Sequence, residues 1–93
     1  MTKFNLTAKE AKALRAAVEV NTTVESANED DFFSYFYPSE IVAATDLTKE
    51  QVAGLLGALG AKGLVEEQDS QNKRISKTEW AVRWAGIEIL RAT

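Results

Sequence analysis

The chain contains no cysteine and no histidine. Without thiols there is neither a disulfide nor a thiolate metal site, and the usual zinc ligands shrink to carboxylates alone. The same absences remove the groups that most often serve as base or activated nucleophile near neutral pH, so the expectation is a non-enzyme without a cofactor. No apolar run approaches the roughly 20 residues of a membrane span, and the N-terminus lacks the charged-then-apolar order of a secretory signal. That predicts a cytoplasmic protein with no membrane partner. Positive charge is also short: 11 basic residues against 14 acidic ones leave a net charge of −3, so a domain-wide basic surface, the first footprint of a polyanion binder, is missing.

The rest of the composition is that of a folded chain. Hydrophobic residues make up 45% and charged residues 27% of 93, which suits one domain over 1–93 with a modest core. Charge is unevenly spread: residues 1–45 hold four basic and seven acidic side chains, 46–78 five and five, and 79–93 two and two. The acidic excess therefore lies entirely in the N-terminal half.

The stretch TKEQVAGLLGALGAKGLVEE, residues 48–67, organises the chain. Val52, Leu55, Leu56 and Leu59 recur at helical spacing and give one apolar stripe. Thr48 with Gln51 has the form of a capping box, which writes the helix start, and Gly63 suits the left-handed conformation of a helix stop. Leu64-Val65 then begins an extended run, the polar QDSQNKR of 68–74 reads as a hairpin tip, and strands are expected at about 64–67 and 74–78. Before this stretch, Pro38 fits the first turn of a short helix, with Ile41 and Val42 packing and Asp46 at the turn.

The order helix, turn, helix, glycine stop, strand, polar tip and strand resembles the winged helix-turn-helix domain, most closely the MarR-like bacterial regulators. The similarity runs over roughly residues 36–80 and includes EIVAATDLT before the central helix, AKGLVE at its exit, and the charged segment from Asp69 to Thr78-Glu79. It implies a mainly α fold with a small β-hairpin: a three-helix core, a wing and a C-terminal helix. It also implies a transcriptional regulator whose partner is double-stranded DNA and which forms a homodimer through terminal helices. Thr48, Lys49, Gln51 and Gly54 would then face the major groove at the start of the third helix, while Lys73, Arg74 and Lys77 would meet phosphates. The sequence departs from the family where Ala53, Gly54, Gly57 and Ala58 replace polar and Arg side chains, since these cannot hydrogen-bond a base. A small-residue face equally suits another helix, so a protein–protein interaction module is the alternative.

Outside that stretch, Thr7-Ala8-Lys9-Glu10 is a second capping-box pattern, and AKEAKALRAAVEV predicts a first helix anchored by Leu14 and Val18, ending between Val20 and Ala27. Asn28 to Asp31 reads as a solvated acidic connector. FFSYFY at 32–37 holds five of the eight aromatic residues and reads as core, fitting a strand or a helical turn equally. Glu79 to Arg91 reads as a last helix, with Trp80, Trp84 and Ile87 on one side and Val82, Ala85 and Ile89 on the other. The second stripe is the motive for expecting self-association.

Overall fold

The computed structural model describes residues 6–29, 35–68 and 79–92. Their order is α1 (Ala8–Glu19), β1 (Tyr35–Phe36), α2 (Pro38–Ala44), α3 (Lys49–Ala61), β2 (Val65–Glu67), β3 (Trp80–Val82) and α4 (Trp84–Ala92). The fold is mainly helical, with one three-stranded antiparallel sheet in the order β1-β3-β2. No helix among the described residues is long and apolar enough to cross a membrane.

Local chemistry sets most of the boundaries. Thr7 Oγ1 accepts from Glu10 N–H at 3.0 Å and Glu10 Oε1 accepts from Thr7 N–H at 2.9 Å, so two orphan amides of α1 are satisfied reciprocally. α1 stops at Glu19, ahead of Asn21, Thr22 and Thr23, whose side chains compete with helix. Tyr37 N–H donates to Glu40 Oε1 at 2.7 Å to open α2, with Pro38 in its first turn. At the end of α3, Leu64 N–H donates to Leu59 C=O and Gly63 N–H to Gly60 C=O, both at 3.0 Å. That is a Schellman stop, and it requires the φ of +77° that Gly63 adopts.

The last expected helix is the main correction. Residues 80–82 are a strand, and α4 begins only at Trp84. Trp80 and Val82 are strand-favouring side chains, and the alternation of buried, half-buried and buried residues follows the two-residue period of a sheet. Arg83 N–H donates to Leu64 C=O at 2.9 Å, which ends the ladder, and Gly86 N–H donates to Arg83 C=O at 2.8 Å, which starts the helix. Val82 therefore pairs with Val65 and lies in the core, while Ala85 is exposed and Ile89 half-buried. The stripe of Val82, Ala85 and Ile89 does not exist as a helix face, and self-association loses that motive. Of the hairpin, β2 falls where expected, whereas the return at 74–78 lies outside the described residues. β1 resolves the end of FFSYFY in favour of a strand.

The core joins α1 (Ala13, Leu14, Ala17, Val18), α3 (Val52, Leu56, Leu59), α4 (Ile87, Leu90) and the inner sheet face (Phe36, Val65, Trp80, Val82). Gly86 lets α4 approach, because a Cβ there would stand 3.0 Å from Leu64 C=O and 3.1 Å from Val82. Two polar ties cross the helices. Glu10, only 6% exposed, accepts from Lys62 Nζ at 2.8 Å, joining the start of α1 to the end of α3. Arg91 donates to the carbonyls of Val24, at 3.1 Å, and Ala27, at 2.7 Å, and lies 5.2 Å from the Trp84 ring centroid, clipping α4 to the segment after α1.

Candidate nucleic-acid interface

The residues that aim α3 outward belong to the turn before it. Thr45 Oγ1 donates to Ile41 C=O at 2.7 Å and accepts from Leu47 N–H at 3.2 Å, which closes the end of α2 and sinks Leu47 into the core. Thr48 then caps α3: its Oγ1 accepts from Gln51 N–H at 3.1 Å, and Gln51 Oε1 accepts from Thr48 N–H at 2.9 Å. With Val52, Leu56 and Leu59 turned inward, helical geometry turns Glu50, Gly54, Gly57 and Ala61 to the opposite side, and all four are exposed.

The structure thus brings four of the expected contact residues, Thr48, Lys49, Gln51 and Gly54, onto the first two turns of α3. Their surroundings differ. Lys49 is exposed and in no ion pair of the described residues. Gln51 is half-buried and its carbonyl oxygen is committed to the cap, as is the Thr48 hydroxyl. Among the described residues no atom lies within 4 Å of where a Cβ would stand at Gly54 or Gly57, so both positions are open there. Lys73, Arg74 and Lys77 lie outside the described residues. Lys62, in the last turn region, is turned to Glu10 rather than outward.

Charge around the turn was not anticipated from sequence. Lys12 Nζ lies 2.9 Å from Asp46 Oδ1, between α2 and α3, and this hydrogen bond, with Lys9 also acting on the carboxylate, holds Asp46 below its ordinary value of 3.8. Lys9, Lys12 and Arg15 stand three residues apart on α1, a spacing that would have placed them along one side of the helix. Arg15 reaches Glu19 at 3.7 Å, and Lys12 and Arg15 border a groove of about 410 Å³ lined also by Ala16, Glu19, Val20, Ala44 and Thr45. Glu10 is the opposite case, an acid withdrawn from the surface; the Lys62 hydrogen bond first, then Thr7 N–H, holds its carboxyl below 4.5.

Chemically, this surface can offer a helix N-terminal turn with one unpaired lysine, a smooth outer face without hydrogen-bonding side chains beyond Glu50, and the β2–β3 hairpin beside it. Among the described residues no group of three or more His, Cys, Asp or Glu could hold a metal. No protein-family model, no curated protein and no solved structure matches the chain.

Proposed function

We propose that the chain is a winged helix that binds double-stranded DNA, a non-enzymatic protein of the transcriptional-regulator kind. The observation that carries this reading is the order α1-β1-α2-α3-β2-β3-α4 with the sheet order β1-β3-β2. It sets an exposed, capped α3 next to an antiparallel hairpin whose connecting sequence contains Lys73, Arg74 and Lys77. A helix of α3's diameter fits a major groove about 12 Å wide, and basic side chains on a hairpin tip fit the adjoining phosphates.

Titration of a labelled random duplex over a salt series tests it. Binding weakens with salt as counterions are released, and the Lys73→Ala/Arg74→Ala pair lowers the log–log slope by about 0.9 per lost contact. Failure to bind any duplex at low ionic strength removes the reading. The second reading, a protein-interaction module, is favoured by the outer face of α3: Gly54 and Gly57 are open, and Ala61 continues the row. Side chains that small let a partner helix approach closely. It takes precedence if duplex binding fails.

A further inference from the structure

We infer that the groove between α1 and α2 is a docking site for an acidic peptide segment of a partner protein, one whose carboxylates flank an apolar side chain. The groove lies on α1 and the end of α2, not on α3 or the hairpin, so it can be tested separately from the DNA-binding reading. Ala16 and Val20 of α1 and Ala44 of α2 give its volume of about 410 Å³ an apolar lining. That is room for a few side chains, at the small end of ligand sites.

The rim sets the charge of the occupant. Among the described residues α1 is the one helix with three cations, and Lys9, Lys12 and Arg15 follow one another by a turn over about 9 Å of its length. Lys12 and Arg15 border the groove with donors to spare. Arg15 reaches Glu19 only at 3.7 Å, beyond hydrogen-bond distance, so its planar fork stays available for a carboxylate. Lys12 gives one bond to Asp46, whose side chain is 81% exposed, and an incoming carboxylate can replace so exposed a pair at little cost. The Thr45 hydroxyl already serves Ile41 C=O and Leu47 N–H, which leaves polar recognition to the two cations. Two cations in line beside an apolar wall match a peptide that carries acids around an apolar anchor. A small acid would engage one of them, and Glu19 and Asp46 on the rim oppose a continuous phosphate backbone.

Selection from a random peptide library on the full chain, followed by fluorescence anisotropy with the labelled selected peptides, tests this. The selected peptides are expected to hold Asp or Glu on either side of a Leu, Ile or Phe, and changing those acids to Asn or Gln is expected to weaken binding by about fivefold or more. The Lys12→Ala/Arg15→Ala pair should bind the acidic and amide forms equally, whereas Asp46→Asn, which frees Lys12, should bind the acidic form more tightly. Ala44→Gln fills the groove and should abolish binding of both forms. All four positions are exposed, so the variants leave the core intact. A library that yields no peptide, selected peptides without acids, or binding that survives unchanged in Lys12→Ala/Arg15→Ala or in Ala44→Gln overturns the inference. Displacement of the selected peptides by hexanoate alone overturns it in favour of a small acid, and displacement by a random duplex overturns it in favour of DNA.

Discussion

On its inner side α3 presents Val52, Leu56 and Leu59, none with any exposed surface; on its outer side it presents Glu50, Gly54, Gly57 and Ala61, all exposed. The inner side follows the ordinary rule that a helix is held by its apolar stripe, each buried Val or Leu contributing about 1.5–3 kcal/mol. The outer side costs stability, because each glycine in a helix interior gives up about 1 kcal/mol relative to Ala, and among the described residues nothing lies within 4 Å of where a Cβ would stand at Gly54 or Gly57. The difference teaches that packing among the described residues does not explain the outer face. A contact made by something else is the natural place for the loss to be recovered.

The largest effect should come from the inner side. Leu56→Ala is expected to lower unfolding free energy by about 3–4 kcal/mol in a urea titration, the range for emptying a fully buried leucine. A loss near that of a surface substitution would mean α3 is not docked as described. Next comes the tie that holds the end of the helix. Glu10→Gln keeps the shape of the α1 cap but loses the ion pair, and should cost about 1–2 kcal/mol at neutral pH, a modest figure because Lys62 keeps 27% of its side chain exposed. Since the folded state favours the carboxylate, its contribution is complete above about pH 4.5 and is lost as pH falls through the lowered folded value. The stability–pH curve of the variant should accordingly be flatter on the acid side.

The glycines sharpen the comparison through opposite signs. Gly57→Ala should raise thermal stability by about 1 kcal/mol, because it improves helix propensity into empty space. Gly63→Ala should lower it by about 1–2 kcal/mol, because its φ of +77° strains any L side chain. Matching signs in the two variants would contradict the geometry of α3. The smallest effect is expected at Trp80, which packs beside Gly60 with a buried indole N–H that has no hydrogen-bond partner among the described residues. Trp80→Phe loses area but also removes an N–H that costs about 1–3 kcal/mol to bury unpaired, so the net change should stay within about 1 kcal/mol of zero.

Features decided by neighbours in the chain were legible in the sequence. Thr7 with Glu10, Thr48 with Gln51, Pro38 and Gly63 mark helix ends through bonds spanning at most a few residues, and each stands where its pattern placed it. Features decided by distant residues were not. Trp80-Ala81-Val82 fits a helix or a strand by period alone, and it is pairing with Tyr35-Phe36 on one side and Val65–Glu67 on the other that makes it a strand. At the candidate site, sequence marked Thr48, Lys49, Gln51 and Gly54 together with the capping box that engages Thr48 and Gln51, but not that Gln51 would be half-buried. Nor could it show that Lys62 would pair with a residue 52 positions away. The withdrawal of Glu10 and the approach of Lys12 to Asp46 are likewise products of helix packing.

The edge of β1 has a consequence for how this protein behaves in a crowd. Hydrogen bonds of Arg83 with Leu64 and of Gln68 with Glu79 fix the alternation of the ladder, so that Phe36 faces β3 and the main chain of Tyr35 points outward. An outward strand edge is a template on which further chains can stack. Here Asn21 Nδ2 donates to Tyr35 C=O at 2.6 Å and Glu40 takes the N–H of Tyr37, although the two tyrosine side chains stay 47% and 44% exposed. Two polar side chains from the preceding loop and the following helix thus take up outward main-chain groups that a further strand would otherwise use at this edge of the described sheet.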